Sequence, residues 1–110
     1  MRYRKNIGDC GEDFAVRVLT EAGYCILERN YTVKYGEIDI IAMKDGVLHF
    51  IEVKTRTGIE YGYPSEAVTE EKQRKIRRVA EGYLSRRRTQ WRAISFDVFE
   101  VMANLITDCM

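Results

Sequence analysis

The chain is poor in the residues that organise zinc sites, crosslinks and membrane spans. One histidine, His49, stands among 110 residues, so zinc chemistry has almost nothing to work with. Cys10, Cys25 and Cys109 are odd in number, widely spaced and form no C-x-x-C pair. That pattern argues against a disulfide framework, and free thiols fit a reducing cytoplasm. No apolar run is long enough to span a bilayer, and no apolar stretch follows the basic start Met1-Arg2-Tyr3-Arg4-Lys5-Asn6, so secretion is not indicated. A cytoplasmic protein with no membrane partner is therefore expected. Repeats, low-complexity tracts and linkers are absent, and the single proline, Pro64, falls in the one conspicuous loop. Residues 1–110 read as one domain, and a hydrophobic share of 45% with a charged share of 32% describes an ordinary globular chain.

Charge is balanced overall and unbalanced locally. The formal net charge is +1, yet Lys72 to Arg92 holds nine Lys/Arg against the one acid Glu81, leaving nine basic and sixteen acidic residues elsewhere. A segment at +8 beside a remainder at −7 points to an anionic partner at one surface, or else to a well-solvated helix face.

Periodicity gives the order αβββαβ. From Ile7 to Ala22, apolar residues recur at three- and four-residue spacing, with Glu12 at the edge of the stripe and Gly23 closing the helix. A strand follows from Tyr24 to about Asn30. Gly36 to Met43 and Val47 to Thr55 read as strands joined by the turn Lys44-Asp45-Gly46, an antiparallel hairpin. Arg56 to Glu66 reads as a loop. A second helix starts at Thr69, whose hydroxyl can cap it, with Glu70 and Glu71 suited to the positive end of its dipole. Ile94 to Val101 alternates as a last strand, and the residues after it carry no readable pattern.

The hairpin carries the chemistry. Side chains alternate faces along a strand, so Glu52 and Lys54 share one, and Asp39 of the adjoining strand can meet them. Carboxylates suit hard cations, and Mg²⁺ is usually held by one or two of them plus waters and substrate phosphate. Asp39 and Glu52 can supply that pair, the Val53 carbonyl can add a neutral ligand, and Lys54 can orient an attacking water or offset charge on the phosphoryl oxygens. Glu12 and Glu37 are candidates for the outer sphere. The competing interpretation is a set of interstrand ion pairs, which cross-strand opposite charges readily form.

These residues resemble a known superfamily. Gly36-Glu37-Ile38-Asp39-Ile40-Ile41 and Ile51-Glu52-Val53-Lys54-Thr55-Arg56 look like the PD-(D/E)xK nucleases, whose shared αβββαβ core carries Asp and Glu-x-Lys on its second and third strands. With Gly11-Glu12, Gly23-Tyr24, Arg29-Asn30-Tyr31, Glu66-Ala67-Val68, Lys72-Gln73 and Phe96-Asp97-Val98, the closer resemblance is to the YraN family of bacterial proteins, which are similar to archaeal Holliday junction resolvases. The resemblance covers about Ile7 to Val101. It implies an α/β, restriction-endonuclease-like core with a mixed sheet flanked by helices. It also implies an active site of Glu12, Asp39, Glu52, Lys54 and Gln73, with Mg²⁺ or Mn²⁺ as cofactor and DNA as substrate. Ile38 replaces the superfamily's proline, and the chain after Val101 is shorter than in YraN-like proteins, without their usual final strand.

Arg56, Lys72, Arg74, Lys75, Arg77 and Arg78 are then the candidate phosphate contacts, giving salt-dependent and largely sequence-independent binding. No base-reading motif accompanies them, so DNA shape or a branch is the expected target. For Tyr61 and Tyr63, loop packing competes with stacking on bases. A two-stranded cut at a junction would need two active sites, which a homodimer supplies. Three readings follow: a metal-dependent endonuclease on branched or damaged DNA, a non-catalytic nucleic-acid-binding or recruitment domain, and an α/β domain whose carboxylates make structural ion pairs.

Overall fold

Two glycines and a threonine punctuate the chain where the sequence places them. In the computed structural model, which describes residues 7–56, 68–87 and 89–102, the first helix α1 (Ile7–Glu21) stops at Gly23, whose φ is +96°. The Gly23 N–H donates to the Thr20 carbonyl (3.1 Å) and the Tyr24 N–H to the Leu19 carbonyl (2.9 Å). This is the Schellman pair of bonds, which requires a left-handed residue between helix and strand. Asp45 and Gly46 take φ of 52° and 78°, the two positive angles of a type I′ turn, whose twist matches that of paired strands. Thr69 caps the second helix by accepting from the Lys72 N–H.

The remaining elements are β1 (Cys25–Val33), β2 (Gly36–Lys44), β3 (Val47–Arg56), α2 (Glu70–Ser85) and β4 (Ala93–Met102). The sheet order is β1-β2-β3-β4, antiparallel through β3 and parallel between β3 and β4. The expected αβββαβ domain with a mixed sheet is thus what forms. One face packs Ala15 and Leu19 of α1 against Ile40, Ala42 and Ile51. The other packs Ile76, Val79, Ala80 and Tyr83 of α2 against Ile38, Ile41, Leu48 and Phe50. Among the described residues, no helix is long and apolar enough to cross a membrane.

Two expectations change. The first strand does not end at Asn30: it bulges between Ile26 and Glu28, bends at Asn30 (φ 50°) and goes on to pair Val33 with Gly36. Asparagine tolerates the left-handed region, so here it bends a strand and does not end it. The cysteine reading is also corrected, because Cys10 is disulfide-bonded, while Cys25 is free and exposed. Sequence spacing conceals the reason: the chain's first helix and last strand meet, with Cys10 and Val101 both 1% exposed in one cluster. Free thiols therefore no longer support a reducing compartment. The loop residues Tyr61, Tyr63 and Pro64 lie outside the described residues.

Candidate active site

The site lies where the hairpin ladder stops. Backbone pairing between β2 and β3 runs from Lys44↔Val47 to Ile40↔Ile51, and the next step would set Asp39 opposite Glu52. There the Asp39 carboxylate replaces a main-chain acceptor, taking a hydrogen bond from the Val53 N–H at 2.8 Å. Strand alternation breaks at the same residue. Ile38 packs in the α2-side core and Ile40 in the α1-side core although they stand two positions apart. Both are fully buried, so the hydrophobic groups on either side of Asp39 fix its backbone. In β1, the left-handed Asn30 lies between the pairs Arg29↔Ile40 and Tyr31↔Ile38, opposite the same break.

Glu52 faces α2. Its side chain is 13% exposed, with the Lys72 ammonium 3.3 Å from Oε1. Burial pushes its pKa up from 4.5 to about 7; the Asp39 carboxylate adds repulsion and accepts a hydrogen bond from the protonated form, and Lys72 pulls the other way. Glu12 reaches the cluster from α1 and is the buried charged residue among those described, at 8% exposure. Its pKa is likewise raised, by burial first and the Asp39 charge second, against the opposing Arg29 guanidinium. Arg29 lies 3.4 Å from Glu12 and 2.7 Å from Asp13.

Gly11 permits this approach. A Cβ on Gly11 would stand 1.9 Å from Thr55 Oγ1 and 3.1 Å from Thr55 Cβ, well inside contact distance. Only a glycine lets α1 come this close to β3, bringing the next residue, Glu12, up to Asp39.

Asp39 therefore has Glu12 near it from α1 and Glu52 near it on the side of α2. Lys54 follows two residues after Glu52 on β3, half-buried and in register with Glu100 of β4. Gln73 donates from Nε2 to the Val68 carbonyl (3.0 Å) and shares with Glu52 a cavity of about 310 Å³ between α2 and β4. Of the basic residues, Lys72 turns inward to Glu52, and Arg56 pairs with Glu100. Arg77 lies over Phe96 and Arg78 over Tyr35. Lys75 pairs with Glu71 along an exposed face of the helix, and Arg74 is exposed. Glu37 accepts from Thr32 Oγ1 and lines a second groove, shared with Glu52, Lys72 and Lys75.

Sequence reasoning missed two partners of Glu12, Arg29 and Asn30. An arginine inside a strand was the available signal. It missed as well that His49 pairs with Asp97 at 2.7 Å, beneath the edge of Tyr24.

Asp39 and Glu52 are the residues here that could hold a divalent cation. Among the described residues, no three or more His, Cys, Asp or Glu converge as a ready-made cage, so all-protein coordination of the Ca²⁺ or zinc kind does not match. Two adjacent carboxylates, one of them held partly protonated near neutrality by burial and by its neighbour's charge, would suit the sparse ligation of Mg²⁺ or Mn²⁺.

Comparison with known proteins places the same segments in a shared family. Residues 11–101 match the family described as "Uncharacterised protein family UPF0102". A UPF0102 protein of Dictyoglomus turgidum is 46% identical over 98 residues, covering 89% of this chain and 83% of its own. One from Rhodococcus opacus is 47% identical over 102 residues, covering 93% and 86%. Another from Clostridium perfringens is 47% identical over 100 residues, covering 91% and 82%. The matched span runs from Gly11, the close-approach glycine, to Val101 at the end of the last strand.

Proposed function

The chain belongs to the UPF0102 family, the YraN family its sequence resembles, and we propose that it is a metal-dependent endonuclease hydrolysing DNA phosphodiester bonds, on branched or damaged DNA as in the Holliday junction resolvases it resembles. The observation that carries this reading is the meeting of Asp39 and Glu52 at the end of the β2–β3 ladder, with Glu52 held to a pKa of about 7. A fold gains nothing from burying two carboxylates together, whereas a cation site needs them there.

Asp39 and Glu52 would hold Mg²⁺ or Mn²⁺. Such an ion supplies Lewis acidity at a phosphoryl oxygen and a bound water of lowered pKa. Lys54, on the Glu52 side of β3, would position the water or offset phosphoryl charge. Glu12 would act from the outer sphere, and Gln73 would contact the substrate from α2. Exposed Arg74 and Lys75, with Arg77 and Arg78, would meet the phosphate backbone. A homodimer would supply the two sites needed to cut both strands of a junction.

Isothermal titration tests the site directly: Mn²⁺ should bind the native protein and neither Asp39→Ala nor Glu52→Ala. Labelled duplex, flap and four-way-junction DNA should be cleaved, and Lys54→Ala should abolish product while retaining Mn²⁺. No metal binding by the native protein would sink the proposal. A second reading, a nucleic-acid-binding domain that does not cleave, draws support from the Lys72 ammonium on Glu52, which neutralises that carboxylate without a metal. DNA binding with no product in any metal would establish it.

A further inference from the structure

Four large hydrophobic residues are conspicuously exposed among those described, and all belong to β4: Ile94, Phe96, Val98 and Met102, at 42–47%. Phe96 and Val98 form one wall of the 310 Å³ cavity into which Glu52 faces, with Ile76 and Arg77 of α2 opposite. The Phe96 ring stacks on buried Phe50, centroids 5.4 Å apart and planes inclined by 23°. The Arg77 guanidinium lies 5.9 Å from the Phe96 centroid. The cavity is thus a slot with aromatic and aliphatic walls, a planar cation at one side and the Gln73 amide beside it.

Its position along the sheet matters as much as its lining. Glu52 is in register with Val98, and Phe50 with Phe96. Phe96 therefore sits two residues, about 7 Å, down the strand from the carboxylate row, which is the scale of the separation between a nucleotide's phosphate and its base. At about 310 Å³, the slot is at the small end of ligand sites and has room for a nucleobase.

We propose that this cavity is a base pocket. It takes a single unpaired nucleobase of the DNA strand whose phosphate lies at Asp39 and Glu52. The base stacks on the Phe96 face that the Arg77 guanidinium now overlies, the guanidinium swinging aside to admit it, and its edge meets Gln73. The inference rests on the endonuclease reading and deepens it. The substrate is a strand with an extrahelical or single-stranded nucleotide at the cut, since a base within continuous duplex would first have to leave its stack. The 43% exposure of Phe96 suits this role, because a stacking platform must stay open.

The test places 2-aminopurine, a fluorescent base, at one position of a DNA that is either fully paired or carries a small unpaired bubble there. Binding is followed in EDTA so that no strand is cut. The native protein should bind the bubble at least tenfold more tightly and quench its emission. Phe96→Ala should lower that preference about tenfold, while Phe96→Trp, which keeps a ring face, should retain it. Equal binding of both DNAs by the native protein, or an undiminished preference in Phe96→Ala, would overturn the pocket. Mn²⁺ titration and duplex cleavage on the same preparations separate the two ideas. Mn²⁺ binding and cleavage without a bubble preference removes the pocket alone. Absence of Mn²⁺ binding together with absence of DNA binding removes the endonuclease and the pocket with it.

Discussion

Replacing Glu52 by Gln should make the metal-free protein more stable at alkaline pH while abolishing its metal affinity. Glu52 titrates at about 7 in the folded chain, against 4.5 for the unperturbed group. Between those values the folded state holds a proton that the unfolded state has lost. The contribution of Glu52 to stability is accordingly greatest below pH 4.5, falls as pH rises, and levels off above about 7. The interval of about 2.5 units corresponds to about 3 kcal/mol at 1.36 kcal/mol per unit. Gln cannot ionise, so that loss should vanish in Glu52→Gln. The attraction of Lys72 is already contained in the folded pKa of about 7 and needs no separate deduction. The gain at pH 8 is then about 3 kcal/mol, on the order of 10 °C in Tm for a domain of this size. Circular-dichroism melts in EDTA at pH 5 and pH 8 provide the assay. The two proteins should melt within a few degrees of each other at pH 5 and separate at pH 8 with the variant higher. Millimolar Mn²⁺ should then raise the native Tm at pH 8 and leave the variant unmoved, since only a ligand bound to the folded state shifts the melt. A variant less stable than the native protein at pH 8, or a difference independent of pH, would refute the electrostatic account of the site.

The other predictions concern the frame and the surface. Gly11→Ala should destabilise the chain by about 1–3 kcal/mol through overpacking against Thr55, although alanine is ordinarily the better helix former by about 1 kcal/mol. Thr55→Ala in the same chain should recover most of the loss in a urea-denaturation double-mutant cycle. If Gly11→Ala is stabilising, the close approach of α1 to β3 is wrong. Neutralising Arg74, Arg77 and Arg78 together should flatten the logarithmic salt dependence of DNA binding by about two to three units. An unchanged slope would remove α2 from the DNA interface.

How much of this was legible beforehand depends on the range of the interaction. Punctuation by Gly23, Asp45-Gly46 and Thr69 is local, settled by φ and a nearby N–H, and each acts where the sequence places it. The pairing of Asp39 with Glu52 is nearly local too, because a two-residue turn counts the register outward from Asp45-Gly46. Readable in advance was that these carboxylates meet; hidden was that the ladder ends just before them and that Asp39 takes over as acceptor for Val53. Asn30 shows why. The same residue that tolerates a turn also tolerates a bend within a strand, and only pairing to Gly36 by way of Val33 distinguishes the two. Long-range juxtapositions left almost no trace: Arg29 on Glu12, Lys72 on Glu52, and Cys10 beside Val101 each depend on packing helices against opposite faces of the sheet. Lys72 is the instructive case, because charge counting puts it in a +8 solvated segment, whereas the fold brings its ammonium to Glu52. A basic run on a helix therefore divides by face: the turn nearest the sheet answers the protein's own carboxylates, and only the outward residues remain for a nucleic acid. The three-arginine substitution spares Lys72 but removes Arg77 from the cavity beside Glu52, so replacing Arg74 and Arg78 alone tests the surface while leaving the site intact.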